Sequence, residues 1–336
     1  MKILLIGGTG NISSSLTKLC LQRGDEVWLL NRGSGREWEA LGAHSICCDI
    51  RDRDQAMEAL KGCEFDAAVD FICYTEEQAR LDVELLRDRV RHYVFISTCM
   101  VYQKPCFQTP VTEDVPRKNP FSDYAQNKIA CELYLEERYR EEDFPVTIVR
   151  PSHTYGEQRL VVGPTLGWQV PHWTLADRIL RGKPVIVHGN GRTLWTVTHS
   201  DDFARGLYGL LGNWAALGHS FHITGDEALS WDEIMETYGW VLGRRPVVVH
   251  LPEDFIIREM PEKVGPIRGD MAENGVFDNS KLKRFVPGFR AEVSLREGLA
   301  RSVAWFREDP ARMAVSEEEN RRTDAMIARW EACLKG

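Results

Sequence analysis

Residues 1–20, MKILLIGGTGNISSSLTKLC, join a short apolar run to three glycines and then to apolar residues at helical spacing. An apolar run of this kind is typical of a buried strand. Glycine permits a tight turn and a close approach of a ligand to the backbone. A following helix offers free N–H groups and a positive dipole end. The stretch therefore predicts a phosphate cradle. It is too short for a secretory signal, so we expect it to be part of the mature fold.

Composition narrows the function classes. The chain has 336 residues, 43% hydrophobic and 27% charged, with a net charge of −8. An acidic balance disfavours a nucleic-acid partner. No apolar stretch approaches the roughly 18 residues of a membrane span, so no membrane contact is expected. Nine cysteines without a C-x-x-C pair predict reduced thiols in a cytoplasmic protein, and we expect no metal site.

The first half of the chain alternates apolar strands with helices. The strands are KILLIG, EVWLLN, HSICCDI, FDAAVDFIC, HYVFIST and PVTIVR. This order predicts an α/β fold, a Rossmann-like doubly wound parallel sheet with a smaller C-terminal substrate-binding lobe. We expect a dinucleotide-binding domain over 1–150, to which 195–224 returns. The lobe would take 151–194 and 225–300, and a helical segment 301–336.

The end of the second strand bears on the cofactor. NAD sites usually place an acid there to bind the ribose, whereas this chain has Asn31 and Arg32. Arg32 could pair with a 2′-phosphate, so we expect NAD or NADP with NADP slightly favoured; the alternative is a solvated arginine. Asp49 is placed to accept a hydrogen bond from adenine, or else to cap a helix. Ser13 stands where G-x-G-x-x-G has its last glycine, and we expect an adjusted turn that still binds.

A second motif carries chemistry. Tyr124 and Lys128 form Y-x-x-x-K, which places both side chains on one helix face. A lysine ammonium beside a phenol should lower the phenol pKa, so that Tyr124 can move the proton that accompanies hydride transfer. FISTCMVY ends the fifth predicted strand and brings Ser97 and Thr98 to the C-terminal edge of the sheet, where ligands of such folds bind.

With these motifs in this order, the chain resembles the extended short-chain dehydrogenase/reductases, the NAD-dependent epimerase/dehydratase family. VRPSHTYG, HSDDFARG and VFDNSKLKRFVPGF resemble further family segments. The resemblance implies that Tyr124 is the acid/base, that Lys128 lowers its pKa and holds the nicotinamide ribose, and that Thr98 orients the substrate. The candidate cofactor-binding residues are Gly7, Thr9, Gly10, Asn11, Ile12, Arg32, Asp49, Ile50, Phe71, Lys128, Pro151 and His153. The candidate substrate-binding residues are Ser97, Tyr102 and Trp195.

Several positions depart from the family pattern. Cys99-Met100 replaces the Asp-Glu pair that sugar dehydratases of this family carry, which makes water elimination in that style doubtful. Trp195 stands where nucleotide-sugar members usually carry an arginine that clamps the diphosphate, and Asn127 replaces a serine. Two sets of residues have alternative interpretations. Trp168, Trp173 and Trp195 line a pocket or pack in the core. His199 with Asp201 and Asp202 is a dyad or a helix cap.

The sequence thus predicts an NAD(P)-dependent oxidoreductase or epimerase that acts at a secondary alcohol or ketone of a sugar-like, possibly nucleotide-sugar, small molecule. The NRG after the second strand also resembles atypical members, including chloroplast stem-loop RNA-binding proteins. The alternative is therefore a non-catalytic dinucleotide-binding regulator or an RNA-binding protein. The resemblance also makes a homodimer plausible, through the helices after strands four and five.

Overall fold

Twelve strands and twelve α-helices make up the described part of the chain. The computed structural model describes residues 1–33, 35–167 and 169–335, except for the Arg36 side chain. The strands are β1 (Lys2–Ile6), β2 (Glu26–Asn31), β3 (His44–Cys47), β4 (Ala67–Asp70), β5 (Tyr93–Ile96), β6 (Val146–Pro151), β7 (His153–Tyr155), β8 (Pro184–His188), β9 (Leu194–His199), β10 (Ser220–Ile223), β11 (Ala228–Ser230) and β12 (Val247–Leu251). Each predicted strand of the first half is present. The apolar residues of β1, β4, β5 and β6 are buried on both faces, whereas the edge strand β3 has three exposed residues of four.

The helices cover both faces of the sheet and build the lobe. They are α1 (Asn11–Gln22), α2 (Arg53–Ala59), α3 (Glu76–Leu86), α4 (Asp123–Glu142), α5 (Trp173–Arg181), α6 (Ser200–Leu210), α7 (Trp231–Leu242), α8 (Glu253–Glu259), α9 (Val264–Pro266), α10 (Ser280–Phe285), α11 (Leu295–Glu308) and α12 (Glu317–Lys335). α9 continues directly into a π-helix, Ile267–Met271. One apolar cluster joins α2, α3 and α4 to the sheet, and a second joins α1 and α6 to its other face.

The central sheet has seven parallel strands in the order β10-β6-β5-β4-β1-β2-β3. The order reverses between β1 and β4, and the glycine loop leaves β1 at that reversal. In open α/β sheets ligands bind at the carboxyl ends of the strands beside such a switch point. The predicted Rossmann-like doubly wound sheet is therefore confirmed.

The lobe has its own small sheets. β9 pairs with β7 and β11, and β8 pairs with β12. Residues 195–199 therefore belong to a lobe sheet, which corrects the expected return of 195–224. The return to the central sheet is made instead by α6, which packs on α1, and by β10, which pairs with β6. The apolar core of the lobe collects side chains from α5, α7 and α11.

The described residues also bear on cysteine pairing, metal ligands and membrane-spanning helices. All nine cysteines are free thiols. The described residues include no group of three or more histidine, cysteine or acidic side chains that could hold a metal ion. In the same part of the chain, no helix is both long and apolar enough to cross a bilayer.

Candidate active site

The loop between β1 and α1 is shaped by close packing at its first two glycines. Gly7 has φ +75°, and a Cβ there would lie 2.7 Å from Cγ2 of Ile72. A Cβ at Gly8 would lie 2.7 Å from a methyl of Leu29. At Gly10 a Cβ would meet only Ser13 Oγ, at 3.4 Å. The turn is thus closed toward the sheet at Gly7 and Gly8 and open at Gly10, where a pyrophosphate can approach the helix N-terminus.

Ser13 takes over the third glycine's position and ties the loop together. Its hydroxyl accepts a hydrogen bond from the Gly10 N–H (2.7 Å) and donates one to the Gly7 carbonyl (2.8 Å). Its side chain is 1% exposed. The sequence analysis expected an adjusted turn, and the adjustment is this pair of hydrogen bonds. The open Gly10 fits a phosphate-bearing dinucleotide.

Three further residues in the loop and the first turn of α1 were predicted to bind the cofactor. The Asn11 amide donates to the Thr154 carbonyl at 3.4 Å, while its buried Oδ1 has no hydrogen-bond partner among the described residues. Ile12 is half-buried and packs on the second apolar cluster. Thr9 is half-buried, and a Cβ on Gly35 would collide with it. Thr9 therefore lies against the segment that follows β2.

Residues after β2 and β3 were expected to bind the ribose and the adenine of the cofactor. Arg32 is exposed, and Asn31 accepts a hydrogen bond from the Gly33 N–H at 2.8 Å. Asp49 accepts from the Arg51 N–H at 2.9 Å. The cap of α2 is Asp52, whose side chain accepts from the Gln55 N–H, so the helix-cap interpretation of Asp49 is wrong.

Two other predicted cofactor residues are apolar and buried. Ile50 is 1% exposed in the cluster under α2 and α3. Phe71 is 9% exposed and follows β4, where its N–H donates to the Ile6 carbonyl at 3.1 Å. Both side chains pack in the core, so either residue would meet a cofactor only through its backbone or the edge of its side chain.

Tyr124, Lys128 and Thr98 meet at the carboxyl edge of the sheet. Ser122 caps α4, which places Tyr124 in its first turn with 38% of the residue exposed. Lys128 lies one turn further on and is 2% exposed. Its Nζ donates to the carbonyls of Cys73 (2.6 Å) and Ile96 (2.7 Å) and lies 5.8 Å from the centre of the Tyr124 ring. The ammonium is thus fixed under the phenol by the ends of β4 and β5.

The pKa of Tyr124 does not follow the sequence expectation. Burial of its hydroxyl raises the pKa, the neighbouring Tyr74 adds to the rise, and a hydrogen bond with Thr98 lowers it in part. Burial also lowers the pKa of Lys128. The expected depression of the phenol pKa is wrong for this structure, because the ammonium points at two backbone carbonyls and desolvation dominates.

Ser97 and Tyr102 belong to a buried network rather than to the cleft. Ser97 donates to Glu132 at 2.5 Å, and the guanidinium of Arg150 donates twice to the same carboxylate, at 2.6 and 2.9 Å. Arg150 also donates to the Tyr102 hydroxyl at 2.9 Å, and that hydroxyl bonds to His222. Both hydroxyls are committed to these partners, which corrects their expected contact with substrate.

The Glu132–Arg150 pair at the centre of this network is ionised. Burial opposes the charge on Glu132, but Arg150, Ser97 and Arg117 together hold its pKa below the usual value. Glu132 is 0% and Arg150 2% exposed. Sequence reasoning did not single out Glu132, although it lies four residues beyond Lys128 on the same helix face.

Trp195 packs in the apolar core of the lobe and is 2% exposed, as the packing interpretation expects. Its ring packs on His153 (centroids 4.5 Å apart) and on Trp231 (4.6 Å), and its Nε1 donates to Asp270 at 3.4 Å. Burial, with the nearby charge of Arg159, lowers the pKa of His153 to about 3, so its imidazole is neutral. Pro151 is buried at the end of β6, which pairs with β5, and Thr98 lies two residues beyond the end of β5.

The remaining candidates take structural places. Trp173 packs on Phe306 in the lobe core, as the packing interpretation expects, and Trp168 lies outside the described residues. His199 caps α6 by accepting from the Asp201 N–H at 3.2 Å, which confirms the cap over the dyad. Cys99 is 6% exposed, and its thiol donates to the Arg150 carbonyl.

Comparison with known proteins identifies the family. The profile described as "NAD dependent epimerase/dehydratase family" matches residues 3–223. The chain is 24% identical over 331 residues to 2'-dehydrokanamycin reductase of Streptomyces kanamyceticus, covering 94% of this chain and 91% of the relative. It is 25% identical over 341 residues, 97% of this chain and 84% of the relative, to the chloroplast stem-loop binding protein of 41 kDa b of Arabidopsis thaliana.

A solved structure gives the same answer for the fold. The dTDP-glucose 4,6-dehydratase DesIV of Streptomyces venezuelae, with NAD and TYD bound, superposes with a TM-score of 0.72 at 25% identity, covering 93% of this chain and 98% of that one. The profile spans about two thirds of the sequence, including the glycine loop and the Tyr124–Lys128 pair. The chain belongs to the NAD-dependent epimerase/dehydratase family, a family of enzymes.

Proposed function

We propose that the protein is an NAD(P)-dependent oxidoreductase or epimerase that acts at a secondary alcohol or ketone of a sugar-like substrate. One observation carries the proposal: Thr98, Tyr124 and the ammonium of Lys128 converge at the edge of the sheet where the open glycine loop lies. The lobe of residues 151–194 and 225–300 would hold the rest of the substrate. The reductase among the relatives covers nearly the whole chain and supports chemistry at a sugar carbonyl.

Each residue has one role. The nicotinamide supplies or accepts the hydride when the cofactor is bound. Lys128, fixed by two carbonyls, holds its charge beside the phenol and toward the cofactor's ribose. Because burial raises the pKa of Tyr124, its hydroxyl is protonated at neutral pH and serves first as a proton donor to a carbonyl oxygen. Thr98 holds that oxygen in line.

Cofactor preference follows from the residue after β2. Arg32 is exposed, and Asn31 stands at the end of β2 in the usual acidic position. A single charge-assisted contact to a 2′-phosphate is worth roughly tenfold to a hundredfold in affinity. We therefore propose that NADP binds more tightly than NAD. Calorimetry on the wild-type protein and Arg32→Ala tests this: equal affinities in the wild type would contradict it.

Cofactor binding by variants of the glycine loop provides the first test of the proposed function. Gly10→Val projects a side chain into the open side of the loop, where a Cβ meets only Ser13, so folding should survive and cofactor binding should be lost. Gly10→Ala is the matched control, since its single methyl fits at 3.4 Å and should keep most of the affinity. Unchanged cofactor affinity in a folded Gly10→Val protein would show that the loop is not the cradle.

The catalytic part uses a panel of keto-sugars and sugar alcohols with the reduced or oxidised cofactor. A net change in cofactor absorbance identifies an oxidoreductase, whereas deuterium exchange at a carbinol carbon without net change identifies an epimerase. Tyr124→Phe should lower turnover about 10²–10⁴-fold while cofactor affinity is kept. Full activity in Tyr124→Phe would remove the tyrosine from the mechanism. Absence of turnover by the wild-type protein across the panel would instead favour the non-catalytic or RNA-binding alternative, which the stem-loop binding relative represents.

We also propose a homodimer through α3 and α4, on whose outer side Leu133 is 51% exposed. Light scattering on the wild-type protein and on Leu133→Glu measures the mass in solution. A monomer in the wild type, or a dimer that Leu133→Glu leaves intact at low concentration, would count against this interface.

A further inference from the structure

Asp270 is a carboxyl that the sequence analysis did not single out. It lies on the π-helix Ile267–Met271, and local π geometry is often found at functional sites. The amide of Asn119 donates both to the Met100 carbonyl (2.7 Å) and to the Gly269 carbonyl (2.8 Å). Asn119 therefore ties the residue before Asp270 to the loop that carries Thr98, and so fixes the carboxyl at the lobe side of the cleft.

The surroundings of Asp270 leave its charge uncompensated. Trp195 Nε1 donates to it at 3.4 Å, and within the described ranges no lysine, arginine or histidine nitrogen lies within 4.0 Å of its carboxylate. Lys104, the cation that acts on it, is paired with Glu273 at 3.6 Å. Arg268, two residues earlier, points away to Asp254 at 2.5 Å. A largely buried carboxylate without a partner cation is costly to keep ionised.

Two observations indicate that Asp270 faces the reacting groups. Its charge acts on the hydroxyl of Tyr124 and on the thiol of Cys99, the residue after Thr98. Its hydrogen-bond donor Trp195 packs on His153, with ring centroids 4.5 Å apart. Asp270 therefore lies between the buried Trp195 and the reacting groups at the carboxyl edge of the sheet.

We propose that Asp270 binds a protonated amine of the substrate, so that the substrate class is an amino-sugar-like alcohol or ketone. The inference rests on the proposed function and names its substrate. An ammonium supplies the counter-charge that the site lacks, whereas a neutral hydroxyl leaves the carboxylate uncompensated. A phosphate would place a like charge in the same low-dielectric space, where repulsion is strong.

The experiment compares three pyranoses that differ in charge: glucosamine, glucose and glucose 1-phosphate. Their affinities are measured by titration calorimetry in the presence of saturating NADP⁺, for the wild type and for Asp270→Asn. A charge-assisted contact predicts that glucosamine binds the wild type roughly tenfold to a hundredfold more tightly than glucose, with glucose 1-phosphate weakest. Asp270→Asn should remove the preference for glucosamine.

Asp254→Asn is the matched control, because it removes a carboxylate next to the same segment but on the exposed outer side. It should keep the wild-type order of the three probes. The inference is overturned if glucose or glucose 1-phosphate binds the wild type as tightly as glucosamine, if none of the three binds, or if Asp270→Asn keeps the order. The wild-type order alone decides it should Asp270→Asn not fold. Cofactor affinity and the loss of turnover in Tyr124→Phe test the proposed function separately.

Discussion

Removing the Asp270 carboxylate should stabilise the protein, and more at high pH than at low. Burial raises the pKa of Asp270 to about 6, although Lys104 and Trp195 lower it. An unfolded aspartate titrates near 3.9, so the shift is about 2 pKa units, or roughly 3 kcal/mol. Because the folded state binds this proton more tightly, stability falls as the pH rises from about 4 to about 6 and stays lower above that range.

Asparagine has the same shape and carries no proton to lose. Asp270→Asn should therefore gain about 3 kcal/mol in free energy of unfolding at about pH 8 and about half of that near pH 5. Urea unfolding at both pH values measures the difference. Asp254→Asn, on the exposed side, should change stability by less than about 0.5 kcal/mol at either pH. An Asp270→Asn protein that is no more stable at pH 8, or equally stabilised at both pH values, would refute the reasoning.

Three further results are expected. Glu132→Gln removes one partner of the buried ion pair and should lower the free energy of unfolding in urea by about 3–5 kcal/mol. Glu136→Gln changes the more exposed carboxylate that binds Arg117 and should cost less than about 1 kcal/mol. Similar losses in the two variants would contradict the network. Ser13→Ala strips the Gly10 N–H of its acceptor and should cost about 1–3 kcal/mol and weaken cofactor binding in calorimetry, and unchanged values would count against the tied loop. Thr98→Val should lower turnover less than Tyr124→Phe does, because it removes an orienting hydroxyl and no proton carrier; an equal loss would give Thr98 a larger role.

The fold was predictable because its signals are local. A buried parallel strand has to be apolar at each position, so strands such as residues 3–6 and 67–69 can be recognised in the sequence. The residues of a strand do not indicate which other strand it pairs with. β9 has the same apolar character as the central strands, yet it pairs with β7 and β11 in the lobe. Which sheet receives a strand is decided by tertiary packing, and the sequence therefore misplaced residues 195–199.

The candidate site shows the same difference between local signals, which the sequence reveals, and long-range contacts, which it does not. Tyr124 and Lys128 share one helix, and their four-residue spacing brings them together without knowledge of the fold. The partners of Ser97 and Tyr102 lie 35 and 120 residues away, so their commitment to a buried network could not be read in advance. Asp270 follows no periodic pattern, because a π-helix breaks the spacing that sequence reasoning relies on. The depressed pKa expected for Tyr124 failed because burial, invisible in the sequence, dominates the neighbouring charge.

The helix that carries the tyrosine is held in register by polar anchors one turn apart. Tyr124, Lys128, Glu132 and Glu136 follow one another at four-residue intervals on α4. Lys128 bonds to the ends of β4 and β5, and Glu132 bonds to Ser97 after β5 and to Arg150 in β6. Lys128 and Glu132 both join α4 to the end of β5, and each also reaches a second strand region, so the helix can neither slide nor rotate without breaking a buried bond to a charged group. The phenol is thereby fixed at the edge of the sheet, and the buried charges behind it position the proton donor without touching the substrate.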